Sequence, residues 1–208
     1  MRCASAALWV AVWSTPLLPA ATIIENGSFE TGDTSGWTAF GNVFVRDREQ
    51  PRDFLPPQAP DWTATDGTLF ASLWSTDNAG GPPIATLHQS FDAPAGAFLF
   101  FDYFFDYGDA PPNRDVATGE LFLPNNQVVT LFEHNSTGHE LPAGANVGWT
   151  TVFYELPFTG RYTLSFVLTD ADGDFESLLG VDNVSVVPEP ASALGLLPLA
   201  GLLRRRRR

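Results

Sequence analysis

Tyr162, Leu164, Phe166 and Leu168 alternate with Thr163, Ser165, Val167 and Thr169. Period-2 alternation of this kind belongs to a strand with one buried face and one wet face. No stretch of residues 22–186 repeats apolar side chains at i, i+3, i+4 and i+7 for long enough to form a helix. Other strand-like stretches are bounded by Gly, Pro, Asn or Asp: residues 42–46, 69–74, 84–91, 98–105, 120–123, 128–132, 150–156 and 179–186. Phe98-Leu99-Phe100-Phe101 is continuously apolar and predicts a central strand covered on both sides. Pro56-Pro57, Pro82-Pro83 and Pro111-Pro112 fall between these stretches, where a missing N–H costs least. Many short strands at fairly even spacing predict an all-β fold, a two-sheet antiparallel jelly-roll sandwich, over residues 22–186.

The two ends read as addresses. Residues 1–21 have the three parts of a secretory signal peptide. Arg2 is the positive start, Ala4 to Leu18 a mostly apolar stretch, and Pro19-Ala20-Ala21 a small-residue exit. A buried first helix is the other reading of that stretch, and Pro16 and Pro19 argue against it. Cleavage there would also remove Cys3, the chain's one cysteine, which suits an oxidising compartment. At the other end Pro188-Glu189-Pro190 precedes Ala191 to Leu203, thirteen residues without a charge, and then Arg204, Arg205, Arg206, Arg207 and Arg208. A bilayer-spanning helix needs about 20 apolar residues, so this stretch is a short stop-transfer tail whose Arg block stays on the cytoplasmic side.

That order of Pro-Glu-Pro, apolar stretch and Arg cluster over residues 187–208 resembles the PEP-CTERM sorting signal of exported bacterial proteins. The resemblance implies recognition by an exosortase, a membrane-embedded transpeptidase, with cleavage near the motif. The chain would be membrane-tethered before processing and then displayed at the cell surface or released.

The opening of the body carries a second resemblance. Asn26-Gly27-Ser28-Phe29-Glu30-Thr31-Gly32-Asp33, followed by Ser35-Gly36-Trp37, is similar to the start of jelly-roll carbohydrate-binding modules of the galactose-binding-like type. Gly148-Trp149-Thr150, the 162–169 strand and Leu179-Gly180-Val181-Asp182-Asn183-Val184 fit the same group. In such modules a structural calcium ties the first strand to the last, and the matching residues here are Glu30 and Asp182. Calcium suits that role because it takes six to eight hard oxygens in flexible geometry. The other reading of the pair is an exposed Glu30 and a turn-capping Asp182.

The remaining candidates divide into packing and surface. Trp37 and Trp149 sit beside glycines at framework positions of the resembled fold and read as packing residues. Trp62, Trp74, Tyr103 and Tyr107 are the candidates for a sugar-stacking surface, because an exposed ring offers C–H contacts and a polar rim offers hydrogen bonds. Burial is the usual fate of such rings in a sandwich, and 17 Phe suggest a core built from aromatics. Asp170-Ala171-Asp172-Gly173-Asp174 fails as an EF-hand, since positions six and twelve are Phe175 and Val181 rather than Gly and Glu. His134 and His139 fall in a polar stretch that reads as a loop, and His88 lies in a strand with no GxSxG motif to partner it. Asn26, Asn135 and Asn183 open N-x-Ser/Thr triplets that read as coincidental in a bacterial exported protein.

Charge narrows the partners. The net charge is −13. Six of the eleven Arg and one of the 24 acids lie in the two ends, so residues 22–186 carry −18. Such a body has little positive charge with which to neutralise phosphates, which argues against nucleic acid. Carboxylate pairs for glycoside hydrolysis arise by chance among so many acids, and no motif selects one. The sequence therefore predicts an exported, non-catalytic protein that binds extracellular polysaccharide. A structural or adhesive matrix protein without a small ligand, and a secreted glycan-processing enzyme, remain open as alternatives.

Overall fold

The computed structural model describes residues 24–51, 60–75, 84–108, 115–135, 146–170 and 176–188. The expected signal peptide, residues 171–175, His139, and the tail from Glu189 through Arg208 lie outside the described residues. Among the described residues twelve strands are found in order: β1 (Thr38–Phe40), β2 (Val43–Arg46), β3 (Arg48–Glu49), β4 (Trp62–Thr63), β5 (Phe70–Trp74) and β6 (Ile84–Ala93). Then follow β7 (Phe98–Asp106), β8 (Val116–Phe122), β9 (Val128–Asn135), β10 (Asn146–Glu155), β11 (Gly160–Thr169) and β12 (Leu178–Val187). They form two five-stranded antiparallel sheets, β1-β6-β11-β8-β9 and β10-β7-β12-β5-β2, with a small β3-β4 flap. The protein is an all-β jelly-roll sandwich.

The alternation in β11 does what its chemistry requires. Tyr162, Leu164, Phe166 and Leu168 are fully buried, and the residues between them stay partly exposed. Facing them from the second sheet, β7 buries Leu99, Phe101, Tyr103 and Phe105. Phe101 meets Phe166 edge-on with ring centroids 5.1 Å apart, and Phe29 and Trp37 close the core from the opening motif. Each such side chain, fully buried, contributes about 1.5–3 kcal/mol.

A second, smaller cluster sits on the outer face of the second sheet. Phe70, Phe104 and Leu178 are buried there beneath Trp62, Trp74 and Trp149. Trp62, carried on the flap, stacks on Phe104 at 4.2 Å and 6°. Gly180 makes this possible, since a Cβ at that position would lie 1.9 Å from the Phe104 ring.

Three expectations change. The apolar run 98–101 is covered on one side only: Phe98 and Phe100 point outward and remain partly exposed, because the flap reaches no further than Asp102 and Phe104. β8 starts at Val116, four residues earlier than the pattern indicated. Ala117 and Gly119 are weak strand formers, but Gly119 gives the Phe132 ring its place, with a Cβ position only 2.3 Å from that ring. His134 belongs to β9 rather than to a loop, because its ring is taken up between the sheets beside Tyr103 and Phe105.

Candidate functional site

Glu30 and Asp182 grip the same loop, which leads from β4 into β5. Phe29 adopts φ 57°, sending its ring into the core while Glu30 stays at the surface. One Glu30 oxygen accepts the N–H groups of Thr68 and Leu69, both at 2.7 Å, and the other accepts the Thr68 hydroxyl at 3.1 Å. These amides hold the Glu30 carboxyl below its ordinary range. Gly67, at φ +73°, lets the loop wrap this closely, since a Cβ there would stand 2.4 Å from the carboxylate.

Asp182 is fully buried. Its Oδ2 accepts the N–H of Thr65 at 2.7 Å and of Asp66 at 2.9 Å, while Oδ1 accepts the N–H of Asn183 at 2.7 Å. Burial pushes its carboxyl up, and the amides of Asp66, Asn183 and Thr65 oppose that shift. Directly across the sheet stands a second buried acid, Asp102, in register with Asp182. It accepts the Thr151 hydroxyl at 2.5 Å and the Asn183 side-chain amide at 3.1 Å. The Thr65 hydroxyl lies 2.8 Å from Asp102 and 3.1 Å from Asp182, so its single hydrogen stands between two carboxylates.

This donor set bears on the calcium implied by the resemblance. Glu30 and Asp182 hold different stretches of the loop, and N–H and O–H groups fill most of their acceptor positions. Among the described residues no three His, Cys, Asp or Glu side chains gather as a metal-holding group. As placed, the two carboxylates fit hydrogen-bond donors better than a shared cation. Sequence reasoning missed Asp102, which sits inside an apolar strand; the Thr-rich segment 63–68 was the one available sign of a donor loop.

The four aromatics expected to offer a stacking surface divide. Tyr103 and Tyr107 are buried in the core, so neither ring face is open to a sugar. Tyr103 stacks on Phe132 at 3.9 Å, and its hydroxyl meets His134 Nε2 at 2.9 Å. Burial raises the Tyr103 hydroxyl and lowers the His134 imidazole. Trp62 and Trp74 are half-buried, with their indole N–H groups donated to Asp106 and to Glu49 and Ser72. Trp62 is stacked on Phe104, and Trp74 is packed by Phe44 and lies under the Arg46 guanidinium. Trp37 and Trp149 are packing residues, as expected. The Asn26 and Asn183 side-chain amides are hydrogen-bonded internally.

An open depression lies instead on the outer face of the first sheet, about 350 Å³ in volume and lined by His88, Phe122, Thr163 and Ser165. Strand register explains why these meet. Thr38 and Ser165 both stand opposite His88, Ser165 stands opposite Glu120, and Glu120 opposite Thr130. Alternation puts all five on one face, giving a polar row that crosses five strands. At about 4.8 Å per strand the row is roughly 19 Å long. Phe122, 42% exposed, stands beside it next to Thr163. Ser90 and Thr163 bond to each other at 2.7 Å, whereas among the described residues His88 and Ser165 make no side-chain hydrogen bond. The sequence concealed this site because its members are ordinary outward residues of ordinary strands.

No protein-family model and no curated protein sequence matches the chain. Among solved structures, the chain is similar to the carbohydrate-binding module TmCBM61, solved in complex with β-1,4-galactotriose. The TM-score is 0.51 at 16% identity, over 81% of this chain and 99% of that one. The K3 cleaved adhesin domain of Lys-gingipain from Porphyromonas gingivalis W83 gives 0.48 at 18% identity, over 79% and 99%. A family 16 carbohydrate-binding module gives 0.44 at 18% identity, over 79% and 98%. At these identities the likeness to TmCBM61 is one of fold, and it agrees with the sandwich described above.

Proposed function

We propose that this is an exported, non-catalytic protein whose first sheet binds an extracellular polysaccharide across its outer face. The observation that supports this most is the polar row Thr38–His88–Ser165–Glu120–Thr130 beside the exposed Phe122 ring. A row about 19 Å long suits a run of several sugar units, with hydroxyls and imidazole exchanging hydrogen bonds and one ring giving C–H contact. The site is open and strand-borne, so it suits the middle of a chain as well as an end. With −18 on the body and Glu120 in the row, a neutral polysaccharide is favoured over a polyuronate or a sulfated one.

Export through residues 1–21 and sorting through residues 187–208 complete this reading, on the strength of the sequence resemblance alone. This reading does not call on calcium, because the loop's own N–H and O–H donors hold the Glu30 and Asp182 carboxylates. A glycan array probed with the protein is the direct test. Binding to a neutral polysaccharide that is weakened about tenfold or more by Phe122→Ala is the expected result. A folded protein that binds no glycan would leave the matrix-protein alternative standing in its place. Sorting is tested separately: removal of residues 187–208 should leave the exported protein unprocessed, and unchanged processing defeats that part.

A further inference from the structure

The sandwich has unlike ends. At one end β7 and β11 begin, and β10 and β12 finish. Register sets Phe153 against Phe100 and Val187 against Phe98 on the outer face of the second sheet. The rings of Phe98, Phe100 and Phe153 form a chain with centroid separations of 6.3 and 6.5 Å. Phe153 is 70% exposed, Val187 49% and Phe158, on the connection at the same end, 40%. The exposed charges nearest this apolar strip are Glu155, Asp92 and Arg161, where β10 and β6 finish and β11 begins. At the opposite end stand Asp106, Asp115, Asp170 and Glu176, where β7 and β11 finish and β8 and β12 begin. Of these four, Asp106, Asp115 and Asp170 are buried and Glu176 is partly exposed, so the two ends differ chiefly in the exposed rings that only the first carries.

The chain leaves the sandwich at the apolar end. Val187 is itself part of the strip, and only Pro188, Glu189 and Pro190 separate it from the thirteen uncharged residues 191–203. Three residues span at most about 10 Å. If residues 191–203 enter a bilayer, the strip cannot be much further than that from the lipid surface. Phenylalanine is among the side chains that settle at the boundary between headgroups and acyl chains. Glu155 opposite Phe98 and Ser185 opposite Phe100 give the strip a polar edge, which would lie among the headgroups while the rings reach the acyl boundary.

We propose that the Phe98–Phe100–Phe153–Val187 strip, with Phe158, is a lipid-facing foot that seats the tethered protein on the membrane. This rests on the reading of residues 187–208 as a membrane-seeking tail. The foot orients the sandwich with the opposite end, where β7 and β11 finish, away from the lipid. The strip alone is too small to hold the protein at a membrane, so the tail supplies attachment and the strip supplies orientation. Because the body carries −18, seating is favoured on zwitterionic lipid and opposed by anionic lipid.

The test uses the full chain with Cys3→Ser and a single environment-sensitive label, placed through Phe153→Cys or Thr38→Cys. Each labelled protein is reconstituted with phosphatidylcholine vesicles carrying a headgroup-level quencher. The expected result is flotation of both proteins with the vesicles and quenching at position 153 several-fold greater than at position 38. Flotation with equal quenching at the two positions overturns the foot and leaves the tail reading intact. Failure of the full chain to float overturns the tail reading and the foot with it. Since Phe153 is exposed, its replacement leaves the core unchanged, and matching thermal melts confirm that both labelled proteins are folded.

Discussion

Buried carboxylates decide much of the behaviour at the residue scale. Asp182 has no exposure, yet four hydrogen-bond donors converge on it. Replacing it by Asn turns an amino group towards amides that need an acceptor, and each buried donor left unmet costs about 1–3 kcal/mol. Asp182→Asn should therefore destabilise the protein by about 2–4 kcal/mol in urea unfolding, while a loss below 0.5 kcal/mol would deny the joint its importance. Because that joint is closed by the chain's own donors, the melting temperature should be unchanged by chelator. A rise of several degrees in millimolar calcium would restore the ion implied by the sequence resemblance.

His134 gives a pH-dependent counterpart. Burial lowers its imidazole below the ordinary 6.5 in the folded state, beside the Tyr103 hydroxyl and the Phe105 and Phe132 rings. As pH falls, the unfolded chain takes up the proton first. The stability tied to neutral His134 is thus complete above pH 6.5 and declines as pH drops through the folded-state value. Comparison of unfolding free energies at pH 7.5 and pH 5 should show a loss in the parent that is smaller in His134→Gln. An equal loss in both proteins would assign the pH dependence to other groups.

Legibility in the sequence is best judged one element at a time. β11 was readable because one face of it is dry and the other wet, so alternation survives in the residue types. β8 was half-read because Gly119 is small to admit Phe132, a reason that exists only in three dimensions. The β3-β4 flap was invisible, since two-residue strands carry no period. Trp62, Glu30 and Asp182 were singled out, but the first turned out to be the flap's fastening. It packs on Phe104 and donates to Asp106 at 2.8 Å. Trp62→Ala should remove about 3 kcal/mol, at the lower end for a large aromatic because the ring is half-buried. Hydrogen exchange locates the effect: amides of residues 48–49 and 62–69 should lose protection first, while β6, β7 and β11 keep theirs. Uniform loss across both sheets would mean that the flap and the sandwich unfold as one unit.

Considered as a whole, the molecule presents two faces with different chemistry on opposite sheets. The first sheet offers hydroxyls, an imidazole, a carboxylate and the exposed rings of Phe122 and Phe40; the second offers three phenylalanines and a valine. The sandwich core separates them, and substitutions far apart with no shared partners act independently. Phe122→Ala should weaken neutral-polysaccharide binding about tenfold, equivalent to roughly 1.4 kcal/mol, because the ring's contact with sugar C–H groups is lost. Phe153→Ser should leave that affinity unchanged, and the double variant should match Phe122→Ala alone. Calorimetric titration of the three variants with one soluble neutral polysaccharide checks all of this. Salt sharpens the result further. Binding made by hydroxyls and a ring contact should hardly change between 50 mM and 500 mM salt, since few charges are paired and screening has little to act on. A steep salt dependence would place the ligand among charged polymers, and loss of affinity in Phe153→Ser would move the sugar site to the other sheet.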